Sequence, residues 1–257
     1  MKLLDLLHSS LVLVFLLALM LMGGRDGDPA QLAQAEARYS EGMELLAGDP
    51  NLAREKFRES ADILAASELD TAGMHFNRAN ALLRAGDLGE AIASYRAAQL
   101  RAPADTRIAA NLAEARGKIL RPLGEPAPTT LDQACGLWSW LGEHTRLLIT
   151  AALGFAAIIA LSFRARATAI ACAALGAILA LTVAADITRR TTADLAVVTA
   201  PTTLRKGNGE GFDPVFAEPL PVGTECRLLE SRPGWLEIEI RDSTRGWIKA
   251  TTAVRVP

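Results

Sequence analysis

This chain is poor in the residues that carry chemistry. It has three histidines and three cysteines among 257 residues. His8, His75 and His144 stand far apart, and no Ser or Cys motif accompanies them. No nucleophile–base set is visible, so the sequence reads as a protein without catalytic machinery. Cys135, Cys172 and Cys226 form no CxxC or Cys/His spacing; that removes zinc and a disulfide framework, and no metal or other cofactor is expected. Cys172 lies in an apolar run as a small hydrophobe, while Cys135 and Cys226 fit an interfacial segment and a strand. A formal charge of −2 offers no basic surface for DNA or RNA. Gly207-Asn208-Gly209-Glu210-Gly211 lacks the Lys-Ser/Thr and following helix of a phosphate loop, so it reads as a plain turn.

Aromatics are scarce at 5%, although hydrophobic residues make up 50%. The excess is concentrated in three apolar blocks rich in Ala and Leu. The first, Leu11 to Met22, follows Lys2 and assigns residues 1–24 to a signal peptide or an uncleaved membrane anchor. The second and third, Leu147 to Phe163 and Ala167 to Ala185, are separated only by Arg164-Ala165-Arg166. Each is close to the length that crosses a bilayer, so residues 147–186 are expected to form a transmembrane helical hairpin. A hairpin puts both flanking regions on one side. The arginines of the turn favour a cytoplasmic turn, against Arg146, Arg189 and Arg190 at the outer ends. Trp138 and Trp140, just ahead of the second block, fit an interfacial aromatic belt.

Residues 31–120 carry a helical pattern punctuated by Gly48-Asp49-Pro50, Gly86-Asp87 and Pro103. Gly48, Ala53, Phe57 and Ser60 recur 38 residues later as Gly86, Ala91, Tyr95 and Ala98, and Asn77 and Ala79 recur 34 residues later as Asn111 and Ala113. A period near 34 is the mark of a tetratricopeptide repeat. Ala79, Gly86, Ala91, Tyr95, Ala98 and Pro103 follow one another at gaps of 7, 5, 4, 3 and 5, which resembles that family's pattern. Thr106 to Lys118 then reads as a lone capping helix. The resemblance implies a peptide groove lined by the first helix of each pair, and by register Asn77, Asn80, Arg84, Arg107 and Asn111 are its candidate residues; the alternative is that they are only solvated positions. His75 on the same helix reads as a packing or surface residue. Residues 121–146 form a Pro-rich linker and interfacial segment.

From Leu195 the period changes to short alternating runs between turn signals: Val197-Val198-Thr199, Leu204-Arg205-Lys206, Thr224 to Leu229, Trp235 to Ile240, Arg245 to Ile248, and Thr251 to Val256. Residues 195–257 are therefore expected to be a small β-barrel. Gly223-Thr224, Gly234-Trp235 and Gly246-Trp247-Ile248 resemble the bacterial SH3 domain. Trp235 and Trp247 are then either core residues or part of a peptide or glycan groove.

The expected fold class is a multidomain membrane protein: an all-α tetratricopeptide repeat domain, a transmembrane hairpin and an all-β SH3-like barrel. In that order the parts resemble the BatE-like proteins of Bacteroides aerotolerance operons. The resemblance implies an inner-membrane envelope scaffold with its soluble parts in the periplasm, working beside von Willebrand factor A-domain membrane proteins and a MoxR-type ATPase. Its rival is a protein that binds peptidoglycan through the SH3-like domain.

Overall fold

Carboxylates, hydroxyls and prolines set the helix starts. The structure of the protein is a computed structural model that describes residues 29–67, 70–124, 126–138, 140–192 and 194–256. The expected N-terminal signal or anchor, with His8, lies outside the described residues. Among those described there are eight α-helices: α1 (Pro29–Leu45), α2 (Pro50–Ala65), α3 (Ala72–Ala85), α4 (Leu88–Arg101), α5 (Thr106–Gly117), α6 (Thr130–Gly136), α7 (Glu143–Ser162) and α8 (Arg166–Thr192). Five strands follow: β1 (Leu195–Val198), β2 (Glu225–Arg232), β3 (Trp235–Glu239), β4 (Arg245–Lys249) and β5 (Ala253–Arg255). Asp49 caps α2 ahead of Pro50 by accepting from the amides of Asn51 and Leu52 at 3.1 and 3.0 Å. Thr71 caps α3 and Asp105 caps α5 in the same way. Each such cap contributes about 1 kcal/mol. Gly86 closes α3 at φ +93°, a left-handed conformation that a side chain disfavours.

Helices α1 to α5 succeed one another through short turns, each packed on the next. Small residues allow the approach. A Cβ on Gly42 of α1 would stand 2.8 Å from the Phe57 ring of α2. Phe57 is fully buried and meets Tyr39 edge-on at 5.2 Å between centroids. Ala79, Ala91, Ile92, Tyr95 and Leu112 fill the middle of the array.

The strands form one antiparallel sheet in the order β4-β3-β2-β1-β5. This corrects the expected barrel: the sheet is not closed. Leu204-Arg205-Lys206, read as a strand, makes only isolated bridges, Arg205 with Pro214 and with Trp247, and so adds no strand that would join the two edges. One face carries Val198, Cys226, Leu228, Leu236, Ile238 and Ile248 in a common apolar cluster.

Sheet and helices share a core, although they are separated in sequence by the two apolar helices. Val197 of β1 is buried among Ala91, Ile92, Leu112 and Ala115, with Ile119, Val254 and Val256 at the margin. Burial of one side chain such as Ile92 contributes roughly 1.5–3 kcal/mol. Gly89 of α4 lies so close to β1 that a Cβ there would meet the Val198 carbonyl oxygen at 2.5 Å. Glu225, 6% exposed, completes the joint: Arg116 Nε donates to its Oε1 at 2.7 Å, and Arg96 Nε stands 2.7 Å from its Oε2.

Helices α7 and α8 are long and apolar enough to cross a membrane, and only 11% and 17% of their apolar windows are buried within the molecule. They pack on each other and turn at Arg164, whose φ is +58°. Both run past the expected limits of 147–186, at residues 143 and 192. Arg146, in the extra turn of α7, forms a buried ion pair with Asp186 of α8. Trp138 Nε1 donates to Asp186 Oδ1 at 3.3 Å and Arg146 Nη1 to Thr182 Oγ1 at 3.0 Å. Charges in apolar surroundings are retained where each has a partner, and here the partners fix helix register. Trp140 is exposed.

Candidate functional site

A concavity lies along α1, α3 and α5. Asn77, Asn80 and Arg84 follow each other on α3 at steps of three and four residues, so they share one face of that helix. Tyr39 of α1 faces them from one side, and Asn111, Glu114 and Lys118 at the end of α5 from the other. The groove holds two open recesses of about 510 and 410 Å³ that share Tyr39 and Asn80. The smaller one is bounded by Leu32, Ala35, Glu36, Leu64 and Asn77.

A polar ladder crosses the floor. Tyr95 OH donates to Asn80 Oδ1 at 2.6 Å, and Asn111 Nδ2 donates to the same oxygen at 3.0 Å. Burial pushes the Tyr95 phenol up to about 12, so it keeps its proton and remains a donor. Arg84 Nε donates to Tyr39 OH at 2.8 Å. Asn77 is exposed.

Four of the five groove residues read from the sequence thus lie together. Arg107 does not. Its guanidinium turns back on the cap of its own helix, with Nη2 2.7 Å and Nε 3.1 Å from the Asp105 carboxylate, and it is otherwise exposed. The Arg107 side chain, together with its backbone amide, holds Asp105 down at about 2. The register that aligned Arg107 with the groove did not weigh this local competitor two residues away.

The chain matches no protein-family model and no curated protein.

Tyr39, Glu36, Glu114, Lys118 and Tyr95 were not among the sequence candidates for the groove. A signal for Tyr39 was present: the 38-residue offset that carries Gly48 onto Gly86 carries Tyr39 onto Asn77. Tyr95 was read only as a position of the repeat pattern; its ring is buried in the core and its hydroxyl reaches the groove floor.

The two tryptophans of the sheet separate from its apolar cluster. In β3 and β4, Leu236 pairs with Ile248, while Trp247 pairs with Glu237 and Trp235 with Lys249. Both tryptophans therefore stand on the face opposite Leu236, Ile238 and Ile248, because alternate residues of a strand point to opposite sides. Trp247 is 7% exposed beneath the Arg232 guanidinium, 4.7 Å from the ring centroid. Trp235 is half-buried. Among the described residues no group of three or more His, Cys, Asp or Glu is placed to hold a metal ion.

His75 is 3% exposed on α3. Its Nε2 lies 2.9 Å from Asp70 Oδ1, so the carboxylate, which only accepts, fixes the proton on that nitrogen. Nδ1 is buried without a hydrogen-bond partner among the described residues. A second proton would have no acceptor there. Burial accordingly lowers the imidazole pKa despite the opposing pull of Asp70.

Proposed function

We propose that the chain is a membrane-anchored envelope scaffold that captures an extended peptide segment of a partner in the groove of α1, α3 and α5. The observation that carries this reading is the pairing of the floor ladder with the amides and guanidinium above it. Asn80 Oδ1 is occupied by Tyr95 and Asn111, which leaves its Nδ2 group, the Asn77 amide and the Arg84 Nη groups for a guest. An extended peptide presents alternating N–H and C=O groups, and side-chain amides offer both a donor and an acceptor to them.

In this reading α1 to α5 are tetratricopeptide repeats with α5 as the capping helix, and the open sheet is a bacterial SH3-like domain. Helices α7 and α8 are a transmembrane hairpin in the inner membrane, with helices and sheet on the periplasmic side. The likeness of the sequence order to the BatE-like proteins supports a binding role beside A-domain membrane proteins and a MoxR-type ATPase, rather than catalysis. The shared core of helices and sheet supports it mechanically, since a groove built on one rigid body can transmit the position of its guest.

A photo-crosslinking residue in place of Asn77, in cells of the native host, is expected to give a discrete crosslinked partner that is absent when the residue replaces Arg107. Equal crosslinking from both positions would remove the groove as the binding surface.

A further inference from the structure

His75 is built into the start of the helix that carries the groove amides. Its backbone amide donates to the Thr71 carbonyl at 3.2 Å and so closes the first turn of α3. Nε2 of the ring lies 2.9 Å from Asp70 Oδ1, and Arg101 Nη2, at the end of α4, pairs with the same oxygen. Arg101 Nη1 also donates to the Ala97 carbonyl at 2.9 Å, which steadies the guanidinium against its own helix. The three side chains tie the start of α3 to the end of α4.

This cluster has a place for one imidazole proton. The charges that the ring meets are Asp70 on the chain ahead of α3, Arg101 on α4 and Arg78 on α3 itself. From α1 and α2, Ala35 and Leu64 pack against the neighbouring Met74 and bring apolar surface instead. Asp70 takes the proton on Nε2, while Nδ1 is buried with no acceptor among the described residues. A second proton would put a charged donor without an acceptor into a buried site beside two guanidiniums, and one carboxylate offsets only part of that cost. The ring escapes it by leaving its site.

Both sequence neighbours of His75 would carry such a displacement into the groove. Met74 is 8% exposed in a cluster with Ala35 and Leu64, and those two residues bound the recess of about 410 Å³. Phe76 meets Tyr95 edge-on at 6.0 Å between centroids, and Tyr95 OH donates to Asn80 on the groove floor. Asn77, on the wall of the same recess, is two residues further along α3.

We propose that His75 is an acid-sensitive gate on the groove: the recess keeps its shape while the imidazole is neutral and loses it when Nδ1 takes a proton. The effect on a guest rests on the groove reading of α1, α3 and α5, whereas the titration of the recess does not.

The test uses the full chain in nanodiscs, with carbon-13 in the histidine rings and in the Met, Leu and Ile methyl groups, followed by NMR from pH 7.5 to 5. The His75 ring and the methyls of Met74 and Leu64 should titrate with one midpoint, and the methyls of Ile108 in α5 should not follow it. His75→Gln keeps a side-chain donor for Asp70 and should abolish the methyl titration. A peptide selected from a displayed library at pH 7.5 should bind the wild type about tenfold more weakly one pH unit below the midpoint, the factor set by coupling to a single proton. It should bind His75→Gln equally at both pH values. Methyls that stay still while the ring titrates, methyls that still titrate in His75→Gln, or a ring that stays neutral throughout would each overturn the gate. If His75→Gln does not fold, the shared midpoint in the wild type decides. A library that yields no peptide would remove the groove reading, and the methyl titration would still judge the gate.

Discussion

Glu225→Ala probes the joint between helices and sheet. The Glu225 side chain is 7% exposed and stands between guanidiniums that are 17% and 25% exposed. Removing it leaves Arg96 and Arg116 facing each other across apolar surroundings without the carboxylate between them. Breaking a buried pair by deleting one partner costs about 3–5 kcal/mol, and the partial access of water to both arginines puts this case near 3. For a body of this size that corresponds to a fall in Tm of roughly 6–12 °C. Glu225→Gln keeps the shape and one acceptor, so it should lie between Ala and wild type. Glu230→Ala supplies the control: Glu230 and Arg232 are 46% and 47% exposed, and their loss should matter by less than about 0.5 kcal/mol. Thermal unfolding of the full chain in detergent, followed by circular dichroism at one scan rate, measures all three. Glu225→Ala melting within about 2 °C of wild type would refute the reasoning that sheet and helices form one body.

Acidification should destabilise the helical array. The folded His75 pKa is lowered, so between that value and about 6.5 the unfolded chain binds more protons, and stability rises with pH. The stabilisation is complete above about pH 6.5 and is lost as pH falls through the folded value. Asp70 acts in the same sense at lower pH, since its hydrogen bonds from His75 and Arg101 outweigh burial and lower its pKa. His75→Gln should flatten the dependence of Tm between pH 7.5 and 5.5, and an unchanged slope would contradict the assignment. In the sheet, Trp247→Ala should cost about 3 kcal/mol and Trp235→Ala about 1, because only the first ring is buried; equal effects on thermal unfolding would contradict the placement of the two rings. With Cys135, Cys172 and Cys226 replaced, cysteines at the exposed positions of Ser40 and Ser231 should label with one impermeant thiol reagent in intact cells. Opposite accessibility of the two would exclude the hairpin topology.

Local signals carried much of this fold. Gly86, Asp87 and Pro103 mark a turn and a helix end because their backbone chemistry acts within a few residues. The alternation from Trp235 to Ile240 shows a strand with Leu236, Ile238 and Ile240 turned inward. The hidden features depend on pairs distant in sequence. Nothing near Glu225 announces Arg96 and Arg116, more than a hundred residues earlier. Asp186 directly follows an apolar block, and nothing in its neighbourhood announces Arg146, forty residues earlier. The prolines between Arg121 and Thr130 read as a linker, because composition shows stiffness and not that Arg121 binds the Pro219 carbonyl or that Arg227 binds that of Ala127. In the groove, the amide spacing on α3 was legible, whereas the turn of Arg107 back to Asp105 was a local hydrogen bond that outweighed helical register.

The central claim is that the groove of α1, α3 and α5 holds an extended peptide. Asn77 and Arg84 are both exposed and can be replaced without disturbing the buried Tyr95–Asn80 bond. A displayed peptide library selected on the full chain in nanodiscs is predicted to yield extended sequences that bind wild type and lose at least about tenfold in affinity to the Asn77→Ala, Arg84→Ala double variant, whose Tm stays unchanged. Selected peptides that bind the double variant as tightly as wild type would contradict it.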